Sequence, residues 1–151
     1  MRRSERQISD SVEIEHILRS GSICYLSMVD DGRPYVVPLN YGYRDGNLYL
    51  HSAPVGRKIS ILKENPEVCF SIVARHEIFV SERACSWTTR YSSVIGTGRA
   101  RIVTERRDVE KGLIVLMGQY SDKAYDFPRE DLSGLVVIRV EIEEMTGKRS
   151  V

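Results

Sequence analysis

Leu48-Tyr49-Leu50-His51-Ser52-Ala53-Pro54-Val55-Gly56-Arg57-Lys58 is the stretch from which the rest of this chain can be read. Its first four residues form a short, mostly apolar strand, and Ser52 to Gly56 make a turn of small residues. Arg57 and Lys58 then open a helix in which Ile59, Ile61 and Leu62 follow and which Asn65-Pro66 stops. A helix start presents N–H groups with no partner inside the helix, together with the positive end of the helix dipole. Two cations at that point make an anion site, and a phosphate is the expected guest. The competing reading is a solvated Arg-Lys pair on a helix surface.

Upstream, Asp10 with Glu13 has the spacing of a capping box, Ile14, Ile17 and Leu18 line one helical face, and Gly21 ends the helix. Strands follow over Ser22 to Val29, over Tyr35 to Tyr43 with Pro38 inside, and over Leu48 to His51. Asp30-Asp31-Gly32 and Arg44-Asp45-Gly46-Asn47 are the turns between them. After the helix from Arg57 to Glu64, the strand Glu67 to Val73 alternates Val68, Phe70 and Ile72. His76 to Val80 reads as an extension of it, and Ser81 to Thr89 as loop. Tyr91 to Val103 is a long strand in which Gly96 and Gly98 mark a bulge or a close approach. Glu105 to Tyr120 carries apolar residues at helical spacing, Ser121 to Ser133 is irregular, and Leu135 to Glu143 closes the chain as a strand. Many antiparallel strands with few helices and no βαβ alternation predict a mainly β, α+β domain. A small barrel with helical covers is its natural closure.

At 151 residues the chain reads as one domain, 1–151. A formal net charge of +1 leaves no broad field for nucleic acid or anionic lipid, so anion recognition must be local. The charged start Met1-Arg2-Arg3-Ser4-Glu5-Arg6-Gln7 has no apolar stretch behind it, so no secretory signal is expected. No apolar run approaches the roughly 18 residues of a membrane span. Cys24, Cys69 and Cys85 lack metal or redox spacing, which fits a reducing cytoplasm; Cys24 and Cys69 read as small core residues. No His, Cys, Asp or Glu spacing predicts a metal, and Gly42 and Gly46 form no dinucleotide fingerprint. Ser92-Ser93 lacks the hydrolase elbow.

Four segments occur in order: Gly32-Arg33-Pro34-Tyr35-Val36-Val37-Pro38-Leu39-Asn40-Tyr41-Gly42-Tyr43, His51-Ser52-Ala53 with Gly56-Arg57-Lys58, Asn65-Pro66-Glu67-Val68-Cys69-Phe70, and Tyr91-Ser92-Ser93-Val94-Ile95-Gly96-Thr97-Gly98-Arg99-Ala100. From about Arg2 to Lys148 the chain thereby resembles the FMN-binding split-barrel superfamily of pyridoxamine 5′-phosphate oxidase, and within it the nitroimidazole-resistance branch. The resemblance implies a six-stranded antiparallel split β-barrel of Greek-key type and a homodimer with FMN at the subunit interface. It also implies a flavin-dependent oxidoreductase acting on small electron-poor, nitroaromatic-type substrates, with NAD(P)H as a transient donor. Arg57 and Lys58 match the family's phosphate-binding pair, and Pro38, Leu39, Asn40 and Tyr41 the strand whose backbone runs along the flavin ring. His51 and Ser52 match positions near the ribityl chain and phosphate, and Ser93 a polar residue touching the flavin. Two departures separate the chain from the true oxidases. It lacks their Trp- and Arg-bearing C-terminal segment, and it carries Asn40-Tyr41 where they carry a Lys.

The residues support a flavin site on their own terms. Arg57 can grip a phosphate in bidentate fashion and Lys58 adds a point charge. Pro38 cannot donate to a ladder, so it marks either a blocked edge or a place where a ligand replaces a neighbour. Asn40 can meet the polar rim of a ring. Trp87 either covers a flavin face or packs in a dimer contact. His51 is a candidate proton donor, a ligand contact or a structural hydrogen bond. The alternative function is a non-catalytic flavin or haem carrier of the same fold.

Overall fold

The computed structural model describes residues 4–128 and 130–150; Met1, Arg2 and Arg3 of the charged N-terminal stretch lie outside the described residues. In chain order the elements are β1 (Gln7–Ile8), α1 (Ser11–Ser20), β2 (Cys24–Asp30), β3 (Arg33–Leu39), β4 (Gly42–Arg44), β5 (Asn47–Ser52), α2 (Arg57–Glu64), β6 (Glu67–Phe79), β7 (Thr88–Val103), α3 (Arg106–Gly118) and β8 (Val136–Ser150). The eight strands pair antiparallel in the order β3-β2-β6-β7-β8-β5-β4, with β1 also on β8. Six of them carry the split barrel; β1 and β4, of 2 and 3 residues, are short additions, and of these β1 was not expected from the sequence.

The barrel is split because β3 and β5 approach one another without a ladder. The chain runs from Leu39 through Asn40 and Tyr41 directly into β4, which pairs with β5. The expected single strand from Tyr35 to Tyr43 is therefore two strands with a break at Asn40-Tyr41.

Helix starts follow the local chemistry. The Asp10 carboxylate accepts the Val12 N–H at 3.0 Å and caps α1, while Glu13 pairs with Arg149 instead of closing a capping box. β7 and β8 run longer than the sequence reading, while β6 takes in the extension expected over His76 to Val80. β6 passes a bulge between Val73 and Arg75 to reach Phe79, and β8 continues to Ser150 because β7 offers partners as far as Tyr91. Gly98 sits at the β7–β8 register shift, where an added Cβ would meet the Glu141 carbonyl oxygen. At Gly96 it would lie 2.5 Å from Phe70. Both glycines mark close approaches, as their spacing suggested.

Leu26, Leu48, Leu50, Phe70, Ile72 and Ile138 fill the barrel and are fully buried. Truncating Phe70 to alanine costs about 3–5 kcal/mol at such a position. α3 covers the outside of β5 and β8 through Val109, Leu113 and Val137, with Tyr49 and Phe127 at the margin. Cys24 belongs to the core, and burial pushes its thiol up to about 12. Cys69 does not: Val68, Phe70 and Ile72 take the inward positions of β6, and the period-2 alternation sends Cys69 out to an exposed position.

Candidate functional site

A cleft of about 520 Å³ opens where β3 and β5 part, and its far end is the start of α2. Pro38, Leu39 and Asn40 form one wall, His51 and Ser52 the other, and Arg57 and Lys58 close the end. Seven of the nine residues singled out from sequence therefore meet in one place. Tyr35, Val37, Ala53, Val55 and Gly56 also line the cleft and were not singled out. Tyr35, Val37 and Leu39 share one side of β3 by simple alternation, so the apolar wall was open to discovery from the period alone.

The start of α2 suits an anion. Gly56 holds φ +118°, and no side chain caps the helix; the first helical bond runs from the Ser60 N–H to the Gly56 carbonyl at 3.0 Å. The first turn carries no acid. An added Cβ at Gly56 would meet nothing, so backbone conformation rather than space calls for glycine there.

The two cations differ in state. Both Nε and Nη2 of Arg57 lie 2.8 Å from Oδ2 of Asp30, and its guanidinium stacks 4.4 Å from the centre of the Tyr35 ring. Arg57 is thereby oriented and its charge partly compensated. Lys58 is half-buried with no carboxylate in ion-pair contact among the described residues, and burial lowers its pKa. The Asp30–Arg57 pair spans 27 positions and has no local sequence signal.

His51 is exposed on the cleft rim, and Ser52 is buried at 8% exposure. Pro38 faces Tyr25 across the β2–β3 ladder. Two expected residues lie elsewhere. The Tyr41 ring is fully buried, and its hydroxyl donates to the Leu18 carbonyl at 2.5 Å; its N–H donates to the Tyr120 hydroxyl at 3.0 Å, which in turn donates to the Ser22 carbonyl at 2.8 Å. After the break at Leu39 the Tyr41 side chain enters the core and anchors the cleft wall from behind. Burial also raises its phenol pKa. Ser93 lies on β7 between Val73 and Lys148, outside the cleft.

Ser93 belongs to a second surface. The ladders align Pro38, Tyr25, Ser71, Ile95 and Thr146 in one outward row and Val36, Ser27, Cys69, Thr97 and Glu144 in the next. Tyr25, Val29, Val36, Val73 and Ile95 give this outer face an exposed apolar stripe beside the cleft. Beyond it, the β6–β7 hairpin carries Ile78, Val80 and Trp87, all exposed, and the Trp87 indole N–H donates to the Ser81 carbonyl at 2.7 Å. Among the described residues no three His, Cys, Asp or Glu side chains converge as metal ligands, and no helix is long and apolar enough to cross a membrane.

The family model described as pyridoxamine 5′-phosphate oxidase matches residues 10–149. None of the curated proteins matches the chain. Among solved structures, a candidate 5-nitroimidazole antibiotic resistance protein from Bacteroides thetaiotaomicron superposes with a TM-score of 0.84 at 30% identity, over 95% of this chain and 86% of that one. An FAD-binding protein from Mesorhizobium loti gives 0.67 at 25% identity, over 97% and 98%. An FAD- and haem-binding protein from Mycobacterium smegmatis gives 0.84 at 17% identity, over 96% and 73%, and shares the fold.

Proposed function

We propose, from the premise that this chain belongs to the pyridoxamine 5′-phosphate oxidase family, that it is an FMN-binding flavoprotein which reduces small electron-poor substrates of nitroaromatic type. The observation that carries this reading is the meeting, in one cleft, of an uncapped helix start, a lysine with no carboxylate in ion-pair contact among the described residues and a flat apolar wall. The phosphate goes to Lys58, the free edge of Arg57 and the first N–H groups of α2. The ring lies along Pro38, Leu39 and Asn40, with Tyr35 and Val37 excluding water below it. Ser52 serves the ribityl chain. His51, exposed on the rim, is the candidate proton donor to a reduced substrate. Bound flavin supplies the electron-transfer chemistry, and NAD(P)H is the donor class.

The same reading makes the protein a homodimer. The apolar stripe of Tyr25, Val29, Val36, Val73 and Ile95 is more than a solvated sheet face needs, and a second copy of the chain would cover it. Ser93 lies on that face, so its flavin contact would be made to the partner's cofactor. The substrate class follows the similarity to the Bacteroides protein. A reducing cytoplasm suits the three free thiols.

The test is a fluorescence titration of the purified protein with FMN. Arg57→Ala combined with Lys58→Ala should weaken binding at least about tenfold with the fold intact; unchanged affinity removes the phosphate cradle. The visible spectrum distinguishes flavin from haem. A protein that holds flavin yet gives no turnover with NAD(P)H and a nitroimidazole is a carrier, not a reductase.

A further inference from the structure

Building on the flavin reading above, we propose that Asp30 tunes the cradle to a terminal phosphate monoester and against the diphosphate of a dinucleotide, so that FMN is held in preference to FAD. Arg57 stands between two clefts. One is the cleft described above. The other, of about 480 Å³, lies between the β2–β3 turn and the outer side of α2. Val29 and Ile61 give it an apolar floor, and Asp30, Asp31 and Glu64 rim it. Arg57 is the only cation among its described lining residues, and Nε and Nη2 of that side chain are already engaged by Asp30 at 2.8 Å.

A monoester ends at the cradle. Near neutral pH it carries close to two negative charges, and its terminal oxygens can take the α2 N–H groups, Lys58 and the Nη1 group of Arg57 together. A diphosphate cannot end there. Its first phosphate is tied up by one ester and one anhydride linkage and keeps a single charge, so it gains less from the same donors. Its second phosphate and its nucleoside must continue past Arg57, toward a rim of three carboxylates whose only neighbouring guanidinium is spoken for. Like charges a few ångströms apart at a half-exposed site repel by enough to shift an equilibrium about tenfold. Asp30 acts in two ways: its charge opposes the second phosphate, and its grip fixes Arg57 over Tyr35 with one edge left for the first.

Fluorescence titrations of the whole chain with riboflavin, FMN and FAD at low salt separate this proposal from the reading beneath it. FMN should bind at least about tenfold more tightly than either of the others. Asp31→Asn with Glu64→Gln leaves the Arg57 contacts alone, and asparagine accepts the positive φ of 49° at position 31. That double variant should narrow the gap between FMN and FAD at least about threefold, mainly by strengthening FAD. Asp30→Asn keeps an acceptor for Arg57 and should narrow the gap further. FAD binding as tightly as FMN in the wild type overturns the proposal. So does a gap that stays constant in Asp30→Asn with native circular dichroism; if Asp30→Asn does not fold, Asp30→Ser, which also removes the charge and keeps an acceptor, is read in its place. FMN binding no better than riboflavin overturns the cradle itself, and with it the reading on which this inference rests.

Discussion

Lys58→Met removes a charge while keeping most of an apolar stem, and it isolates the contribution of one group to phosphate recognition. Lys58 is half-buried, without a carboxylate in ion-pair contact among the described residues, at the opening of a helix that no side chain caps. Its ammonium therefore brings an uncompensated charge to the guest. A charge-assisted hydrogen bond contributes about 1.5–3 kcal/mol, which corresponds to a loss of about ten- to about a hundredfold in FMN affinity. Arg57 offers no equally simple comparison, since removing it releases the carboxylate of Asp30 toward the phosphate. The assay is quenching of flavin fluorescence, run in parallel with riboflavin, which lacks the ester. Riboflavin affinity should stay the same, and the ligand-free variant should melt no lower than the wild type, because a desolvated charge has been removed. Equal losses for FMN and riboflavin, or no loss for either, would refute the assignment of Lys58 to the phosphate.

Three further outcomes are expected. FMN affinity should rise with pH through about 6 as the ester becomes dianionic, then fall as Lys58 loses its proton. Burial sets that second pKa below the usual lysine value in the free protein and a bound dianion raises it again, so affinity is complete below the free-protein value and is lost as pH climbs through it; titration calorimetry in Lys58→Met should lack this upper limb. Gly98→Ala would drive a methyl group into the Glu141 carbonyl oxygen at the β7–β8 bulge and should cost at least about 2 kcal/mol in urea denaturation; wild-type stability would show that the ladder gives way there. Under native conditions a thiol reagent should label Cys85 and leave buried Cys24 untouched, while Cys69, on the outer sheet face, becomes protected as protein concentration rises; Cys69 labelling that is independent of concentration would argue against a dimer through that face.

The parts of this molecule that were legible in its sequence are those fixed by neighbours along the chain. The bounds of α2 follow from small residues before Arg57 and from Asn65-Pro66 after Glu64. The cap at Asp10 and the close approaches at Gly96 and Gly98 are likewise local. What escaped depends on partners far away. Residues 144–150 of β8 are mostly polar and lie beyond the strand expected to end at Glu143. They continue the strand because β7 is long enough to pair with them and because Ile8 packs where Gly147 has no side chain. Cys69 went to the wrong side because an apolar setting was given more weight than alternation. Tyr41 follows the matched motif in sequence, but the break after Leu39 turns its ring inward, toward Leu18 and Tyr120. The grip of Asp30 on Arg57, which alters the electrostatics of the cradle, joins a hairpin turn to a helix across the fold.

The unladdered lips of β3 and β5 have a consequence for how a guest comes and goes. In a closed barrel, admitting a planar molecule means prising strands apart and breaking backbone hydrogen bonds. Here the mouth can widen by moving side chains alone, while the rungs behind it hold their register. Loading and release of the proposed flavin would thus be separated from unfolding.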